Sequence, residues 1–184
     1  MPTYIHVDVE TTSTNTANAL VLSIGAIEEE SQETFHRVFH HVDNEQLSWD
    51  KGTWDWWHHP DQEQARLRMI EKYEKHQTSP HNAAHDFHNW VQKFNNGQPP
   101  TFCAWPASFD YPLVVEFLWA YELPSPFHYR TLDVKSYLCG KLGIDIDAPR
   151  TAFPQWAEEN PQFPHDALSD AIAQMEVFRK VRAI

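Results

Sequence analysis

Three strand patterns follow one another in the first part of the chain, and this succession constrains the fold more than any other feature. Residues 4–10 alternate strictly between aliphatic side chains and polar or aromatic ones, which is the period of a strand with two different faces. Residues 19–27 form a mostly apolar run, and residues 33–42 are rich in aromatic and β-branched side chains. Because the links between the three segments are short, we predict that they are antiparallel neighbours in one sheet.

Helices and short strands alternate in the remainder of the sequence. Ser79 and Pro80 form a typical helix start, an N-cap residue followed by proline in the first turn. Residues 43–59 are Trp-rich and predicted to be irregular, whereas residues 145–164 hold four prolines and predict a long loop with a short helix around residues 155–158. The other predicted elements are helices over residues 60–75, 80–94, 110–121, 133–142 and 165–181, and strands over residues 100–105 and 127–132. This order predicts an α/β fold in which a mixed sheet, three antiparallel strands and then a βαβα unit, carries flanking helices.

Length and charge limit the functions open to the chain. Its 184 residues correspond to about one domain, so we expect residues 1–184 to form a single unit. The net charge of −12 argues against a protein that binds nucleic acid by neutralising phosphates alone. It leaves open an enzyme whose phosphate contacts run through bound metal ions.

Several localisation signals are absent from the sequence. No run approaches the roughly 18 consecutive apolar residues of a membrane-spanning helix, and the first residues lack the basic and apolar regions of a secretory signal. Cys103 and Cys139 have no metal-binding or redox spacing, so we expect two reduced thiols. Together these features predict a cytoplasmic protein without a membrane partner.

Asp8 and Glu10 lie at the end of the first predicted strand. Because they are two residues apart in a strand, their carboxylates point to the same face, and strand ends are where α/β sheets place ligands. Two carboxylates at such a short distance repel each other and favour binding of a cation. Hard oxygen ligands of this kind suit Mg²⁺ or Mn²⁺. The same spacing also arises by chance in strands that bind nothing, so the pair alone leaves both interpretations open.

Two later segments carry acidic side chains that need an explanation. Asp110 follows a predicted buried strand and starts a helix, where a simple N-cap is the alternative to a functional role. Asp170 lies one turn into the last helix beside apolar neighbours, and a carboxylate there requires a partner. Asp166 is the natural N-terminal charge for that helix, which leaves His165 as either a surface residue or a functional one.

The acidic residues and the histidine fall into three motifs, in the order Asp8-x-Glu10, Phe109-Asp110 and His165-x4-Asp170. This order resembles the DEDDh family of 3′-to-5′ exonucleases, and the resemblance covers about residues 3–180. The Trp-rich segment 53–57 is also similar to the small phage and bacterial branch that includes phage exonuclease A and a mycobacterial exoribonuclease. One departure is that Trp-Pro-Ala-Ser at residues 105–108 replaces the small or Asn residue that usually precedes the Phe-Asp pair. The resemblance implies a ribonuclease H-like fold, with residues 1–184 as a single DEDDh exonuclease domain.

The resemblance also implies a role for each motif residue. The implied catalytic carboxylates, which would hold two Mg²⁺ or Mn²⁺ ions, are Asp8, Glu10, Asp110 and Asp170. His165 would act as the general base for the attacking water. Phe109 would lie against the terminal base, and Thr11 and Thr12 would hydrogen-bond the terminal sugar. The expected reaction is hydrolysis of RNA, single-stranded DNA or both from the 3′ end to nucleoside 5′-monophosphates.

Aromatic residues and histidines support competing hypotheses. The candidates for stacking on bases, with core packing as the alternative for most, are Trp54, Trp56, Trp57 and Trp105. Together with the acidic surface, they leave open a non-catalytic nucleic-acid-binding or protein-interaction module on the same fold. The 12 histidines suggest a metal-binding protein, but neighbours in a strand face opposite ways, so the pairs His40-His41 and His58-His59 are predicted to be surface residues. The sequence also leaves open the choice between RNA and DNA and the formation of a homodimer.

Overall fold

A five-stranded mixed sheet forms the centre of the computed structural model, which describes residues 2–157, 162 and 164–184. In chain order, its strands are β1 (Tyr4–Thr11), β2 (Val21–Glu28), β3 (Thr34–Val38), β4 (Thr101–Ala104) and β5 (Leu132–Asp133). They lie in the order β3-β2-β1-β4-β5, with antiparallel pairing among β1, β2 and β3 and parallel pairing of β4 with β1 and β5. The prediction of a mixed sheet that begins with three antiparallel strands is confirmed.

Two strands are shorter than their sequence patterns predict. The pattern over residues 33–42 continues beyond β3, but the N–H groups of Phe39 and His40 both donate to the Leu22 carbonyl, and regular pairing ends there. In the pattern over residues 127–132, only the last residue pairs with β4, and β5 then extends to Asp133. Apolar and β-branched composition favours burial of a segment without dictating that its backbone joins a sheet.

Six α-helices surround the sheet within the described residues. They are α1 (Lys51–Trp57), α2 (Glu63–His76), α3 (Pro80–Gln92), α4 (Ala107–Trp119), α5 (Val134–Leu142) and α6 (Ala167–Arg182), with short 3₁₀ helices at Pro60–Gln62, Arg150–Ala152 and Gln155–Ala157. The predicted N-cap at Ser79 is confirmed, since its side chain accepts the Asn82 N–H. Of the predicted loop over residues 145–164, residues 158–161 and 163 lie outside the described part of the chain. No described helix is both long and apolar enough to cross a membrane.

Helix α1 shows that the prediction of an irregular segment over residues 43–59 was wrong for residues 51–57, whereas residues 43–50 are irregular. The Asp50 carboxylate accepts the Thr53 N–H at 2.9 Å and caps the helix. The helix is only 7 residues long, so it completes about two turns and presents too few repeats for its period to stand out. It carries the Trp-rich segment of the sequence.

The alternation of residues in β1 separates the core from the other face of the sheet. Its aliphatic residues join a buried cluster with side chains of α3 and α4. The opposite face is covered by α6, which packs Ala171 and Met175 against Ile27 of β2. Gln174 of α6 is buried and donates to the Val7 carbonyl at 2.9 Å, which ties the helix to β1.

Gly25 sets the distance between β2 and the start of α6. It pairs with Asp8 across the sheet, and a β-carbon built on it would lie 2.1 Å from the backbone carbon of Ala167 and the backbone nitrogen of Leu168. Because this separation is far below van der Waals contact, only a residue without a side chain permits the approach. The contact brings the first turn of α6 against the acidic end of β1.

We expect Gly25→Ala to lower the Tm and to displace the start of α6. Forcing a methyl group into occupied space typically costs about 1–3 kcal/mol. Gly140→Ala in α5 is the matched control, because a β-carbon there meets open space and alanine is favoured over glycine in a helix by about 0.5–1 kcal/mol. Thermal unfolding followed by circular dichroism measures both variants, and equal Tm values for Gly25→Ala and the wild type would contradict the expectation.

Candidate active site

The C-terminal end of β1 presents two acidic side chains towards α6. One carboxylate oxygen each of Asp8, Glu10 and Asp170 lies within 4.8 Å of the others. Alternation along the strand places the first two on one face, and a register irregularity between Glu10 and Thr11 interrupts the pairing with β2 just beyond them. Among the described residues, this is the only group of three or more His, Cys, Asp or Glu side chains placed to share a metal ion.

The first turn of α6 supplies the third carboxylate. Asp166 caps the helix, because its carboxylate accepts the Ser169 N–H at 3.1 Å, so the predicted helix start at His165 is two residues early. Asp170 follows one turn later, and its Oδ2 accepts the Asp166 N–H at 3.1 Å. That bond holds the Asp170 carboxylate towards the N-terminus of the helix, the end that lies against β1 and β2.

Asp110 occupies the same cleft but is not one of the three clustered carboxylates. Helix α4 begins at Ala107 with Pro106 as its N-cap residue, so the alternative in which Asp110 caps this helix is wrong. Asp110 is instead only 2% exposed, and its Oδ1 accepts the Val9 N–H at 3.2 Å. Since Val9 lies between the two acidic residues of β1, this bond anchors the acidic end of the strand to α4.

Burial makes ionisation of these carboxyl groups costly. Desolvation raises the pKa of Asp110 to about 7 and that of Asp170 to about 6, although each accepts backbone N–H groups that lower it. Desolvation, and then the neighbouring carboxylates with Asp170 foremost, raise the pKa of Glu10 well above its usual range. A divalent cation would offset both the loss of solvation and the repulsion between the carboxylates. Carboxylate oxygens are also the ligands that Mg²⁺ and Mn²⁺ prefer. The donor set therefore fits such ions.

The acidic residues open into a cleft of about 250 Å³. The described residues that line it are Asp8, Val9, Glu10, Trp105, Pro106, Phe109, Asp110, His165 and Asp170. His165 is half-buried, and its ring meets the Trp56 ring edge-on with 4.6 Å between the centroids. Burial and then the charge of Arg68 lower the pKa of His165 below its usual 6.5, so the imidazole is neutral at pH 7 and able to accept a proton. The structure thus brings His165 and all four predicted carboxylates into one cleft.

The three residues predicted to contact substrate differ in their placement. Phe109 is half-buried and lines the cleft. Thr11 and Thr12 are buried where β1 ends and are not among the described residues that line it. The Thr11 hydroxyl donates to the Ser13 carbonyl at 2.8 Å, and the Thr12 hydroxyl accepts the Leu20 N–H at 2.9 Å. These bonds stabilise the turn that follows β1.

The four tryptophans considered for base stacking lie in different environments. Trp57 is 1% exposed within a core cluster, so core packing is its role. Trp54 stacks on His58 with 3.9 Å between ring centroids. Trp56 is 38% exposed beside the His165 ring, and Trp105 forms part of the cleft wall. Trp56 and Trp105 are therefore the two that adjoin the candidate site.

The adjacent histidine pairs are less exposed than predicted. Of the four residues only His59 is exposed. His41 accepts the Asp43 N–H at 3.1 Å through Nδ1, and His58 places Nε2 3.2 Å from Asp43 Oδ1. His41 and His58 therefore both contact Asp43, which the spacing of the pairs alone does not reveal.

Two cations of α2 approach the His165 segment, and no sequence motif pointed to them. Arg68 donates to the Pro164 carbonyl at 3.1 Å, and Lys72 forms an ion pair with the Asp166 carboxylate. Spacing of four residues places both on one face of a helix. That spacing does not predict which segment of the chain this face will contact. Pro164 is 96 residues from Arg68 in the sequence, and Asp166 is 94 residues from Lys72.

Comparison with known proteins identifies relatives of the chain. The sequence profile of a family described as "3′-5′ exoribonuclease Rv2179c-like domain" matches residues 3–182. No curated protein sequence matches the chain significantly.

Solved structures of nucleases share the fold. Escherichia coli exonuclease I in complex with a dT13 oligonucleotide has a TM-score of 0.63 at 16% identity, over 99% of this chain and 41% of exonuclease I. Cell-death related nuclease 4 has a TM-score of 0.62 at 13% identity, over 100% of this chain and 64% of that one. A full-length 3′-exonuclease has a TM-score of 0.64 at 9% identity, over 98% of this chain and 82% of that one. At these identities the comparison shows the ribonuclease H-like fold alone. The chain spans less than half the length of exonuclease I.

Proposed function

Because the chain belongs to the family of Rv2179c-like 3′-5′ exoribonuclease domains, we propose that it removes nucleotides from the 3′ end of RNA or single-stranded DNA. The reaction is metal-dependent hydrolysis that releases nucleoside 5′-monophosphates. One observation carries this proposal: oxygens of Asp8, Glu10 and Asp170 converge within 4.8 Å in a cleft that His165 also lines. We assign the activity to residues 1–184 acting as a single DEDDh-type domain.

The metal ligands in this proposal are Asp8, Glu10 and Asp170, with Asp110 acting through water. When bound, two Mg²⁺ or Mn²⁺ ions would supply an activated water molecule and stabilise the charge on the departing 3′ oxygen. The raised pKa values of Glu10 and Asp170 support the assignment, because they show that ionising either carboxyl group in the cleft is costly, and a bound cation would offset that cost.

His165 is the proposed general base. Its lowered pKa keeps the ring neutral, so it can take a proton from the attacking water. As the water oxygen bonds to the last phosphorus, the bond from that phosphorus to the 3′ oxygen of the penultimate nucleotide breaks. The freed 3′ oxygen takes up a proton from solvent, and the terminal nucleotide leaves with its 5′ phosphate.

Nucleic acid is the proposed partner of the cleft. The fold is shared with exonuclease I, which was solved with a bound dT13 oligonucleotide. In this proposal the terminal base packs against Phe109 and the Trp105 wall, since aromatic faces stack on any base. Thr11 and Thr12 stay predicted contacts to the terminal sugar, and their hydrogen bonds within the turn do not favour that role.

A cytoplasmic location and a homodimer stay predictions. Cys103 and Cys139 are buried and unpaired, as reduced thiols would be. Trp119 of α4 is 66% exposed, and an exposed large aromatic side chain offers part of an apolar surface that a second copy of the chain can cover.

Cleavage of labelled single strands tests the proposed function. RNA and DNA of one sequence, labelled at the 5′ end, are incubated with the protein in Mg²⁺, Mn²⁺ or EDTA. In either metal we expect a ladder of products that are progressively shortened from the 3′ end, and in EDTA we expect no ladder. Comparison of the cleavage rates of RNA and DNA reports the sugar preference. Binding of both strands without cleavage in any metal would support the non-catalytic module instead.

Divalent metal is expected to raise the Tm of the wild-type protein. A cation bound by the folded state alone stabilises it by RT ln(1 + [L]/Kd), so the shift grows with metal concentration. Differential scanning fluorimetry with increasing Mn²⁺ measures the shift, and we expect Asp8→Asn to reduce it strongly. Zn²⁺ binding that persists undiminished in Asp8→Asn would point to the histidines as a separate metal site.

A further inference from the structure

Two basic side chains of α2 contact the residues immediately before and after His165. Arg68 and Lys72 lie one helical turn apart on the same face of α2. The Arg68 guanidinium donates to the carbonyl of Pro164 at 3.1 Å. The Lys72 ammonium pairs with the carboxylate of Asp166. The residue between these two anchors is His165.

The backbone of His165 needs such support. Its φ of 59° lies in the left-handed region, which residues other than glycine rarely adopt. Backbone in such a conformation persists only where the surrounding contacts over-determine it. A change in this one torsion would swing the imidazole, because φ sets the direction of the side chain relative to the segment that precedes it.

The Lys72 contact also reaches the metal-binding end of α6. The Asp166 side chain is only 8% exposed, and its carboxylate both pairs with Lys72 and caps α6 through the Ser169 N–H. The Asp166 N–H in turn donates to Asp170 at 3.1 Å. Loss of the cation would leave a nearly buried carboxylate without its charge partner, which favours movement of the segment towards solvent.

This pair differs from the ordinary surface ion pairs of the protein. In the Lys51–Asp55 pair, for example, both side chains are more than half exposed, at 86% and 57%, and pairs of that kind contribute little. In the Lys72–Asp166 pair, the exposures are 29% and 8%. The Lys72–Asp166 contact is therefore better shielded from water than the Lys51–Asp55 contact.

We propose that Arg68 and Lys72 are positioning residues that clamp the 164–166 segment onto α2 and thereby hold the His165 imidazole over the carboxylate cleft. The inference rests on the proposed function, because it assigns the clamp to the histidine that takes the proton from water. Neither cation touches the reacting atoms in this assignment. Each acts through His165.

Lys72→Met tests the clamp in single-turnover cleavage of 5′-labelled RNA. Misplacing a catalytic group by about 1 Å costs up to roughly 10²-fold, so we expect the rate of cleavage at saturation to fall by about 10-fold to 10²-fold, with KM nearly unchanged. Lys72→Arg, which keeps a cation within reach of Asp166, should restore most of the rate. Lys75→Met removes a charge from an exposed position of the same helix and should cleave like the wild type.

A double-mutant cycle with His165→Ala separates positioning from a general structural effect. If Lys72 acts through His165, Lys72→Met should lower the rate no further once the imidazole is gone. A multiplicative loss in both backgrounds would overturn the proposal, as would a Lys72→Met rate within about twofold of wild type, a difference smaller than a misplaced base produces.

Arg68→Lys provides a second test that does not remove a charge. The shorter ammonium keeps the electrostatic environment but loses the planar guanidinium that bonds to the Pro164 carbonyl. We expect Arg68→Lys to lower the rate in the wild-type background and to leave it unchanged in the His165→Ala background. An unchanged rate in Arg68→Lys alone would remove Arg68 from the clamp, even if Lys72→Met failed to fold. Wild-type protein on the same RNA is the reference, with single-stranded DNA of the same sequence used instead if the wild type cleaves only DNA. Absence of wild-type cleavage of both strands would count against the proposed function and not against the clamp.

Discussion

Asp170→Asn is expected to abolish metal-dependent cleavage and, in the same protein, to raise the Tm of the metal-free form at neutral pH. The variant keeps the size of the side chain but removes one of three carboxylates whose oxygens lie within 4.8 Å of one another. Metal ions contribute several kcal/mol of transition-state stabilisation in reactions of this class, so the rate should fall by roughly 10³-fold or more.

The stability part of this prediction follows from the direction of the pKa shift. Folding raises the pKa of Asp170 from 3.8 to about 6, chiefly through desolvation. A carboxyl group with a raised pKa binds its proton more tightly in the folded state. The contribution of Asp170 to the free energy of unfolding is therefore greatest below pH 3.8, falls as the pH rises towards about 6, and stays low above that. Asparagine cannot ionise, so the variant lacks this loss at pH 8 and should unfold at a higher temperature than the wild type in EDTA.

Thermal unfolding at pH 4 and pH 8, in EDTA and in Mn²⁺, measures both effects. We expect the variant to exceed the wild type in Tm only at pH 8 in EDTA, and to gain less than the wild type from Mn²⁺. Glu176→Gln is the matched control, since Glu176 is exposed on the same helix. Undiminished cleavage by Asp170→Asn would remove Asp170 from the metal site.

His165→Ala should lower kcat by roughly 10²–10⁴-fold, the usual contribution of a general base. Metal ligation should persist, because the variant leaves Asp8, Glu10 and Asp170 in place. The metal-induced rise in Tm is therefore expected to match that of the wild type while cleavage is lost. This separation distinguishes the base from the ligands.

The pH profile of kcat/KM gives the second signature of His165. Burial and Arg68 lower the pKa of His165 below 6.5, and a base works only when neutral, so wild-type activity should decline on the acid side below that value. At saturating metal, which keeps the cleft carboxylates ionised, this acid limb should flatten in His165→Ala, because the proton acceptor that titrates there is gone. His81→Ala, at an exposed position of α3, is the control, and a wild-type profile in His165→Ala would exclude the histidine as the base.

Much of the architecture could be read from local patterns. The strict alternation in residues 4–10 predicted both the strand and the shared face of Asp8 and Glu10, because the period of a strand depends only on its own backbone. The helix start at Ser79 was recognisable for the same reason, since an N-cap acts on the N–H groups of the next few residues. The three motifs, taken in order, also pointed to the carboxylates and the histidine that share the cleft.

Other side chains gave no local signal of the group that they bind. Asp110 has the residue type of a helix cap, yet its carboxylate accepts the N–H of Val9 in a different element, 101 residues away. The Thr12 hydroxyl, which is a predicted sugar contact, accepts the N–H of Leu20 across the turn. In both cases the side chain can serve either role, and its partner is chosen by which backbone group the fold brings within reach.

Short-range periodicity, capping and motif order were therefore enough to predict the strands, most helices and the identity of the acidic and histidine residues. Local patterns could not predict that Gly25 lets the start of α6 reach the sheet. Nor could they predict that Arg68 and Lys72 contact the segment around His165. These contacts join residues that are distant in the chain, and their energies depend on atomic distances and burial. Such quantities arise only when the packed elements have fixed the positions of both partners.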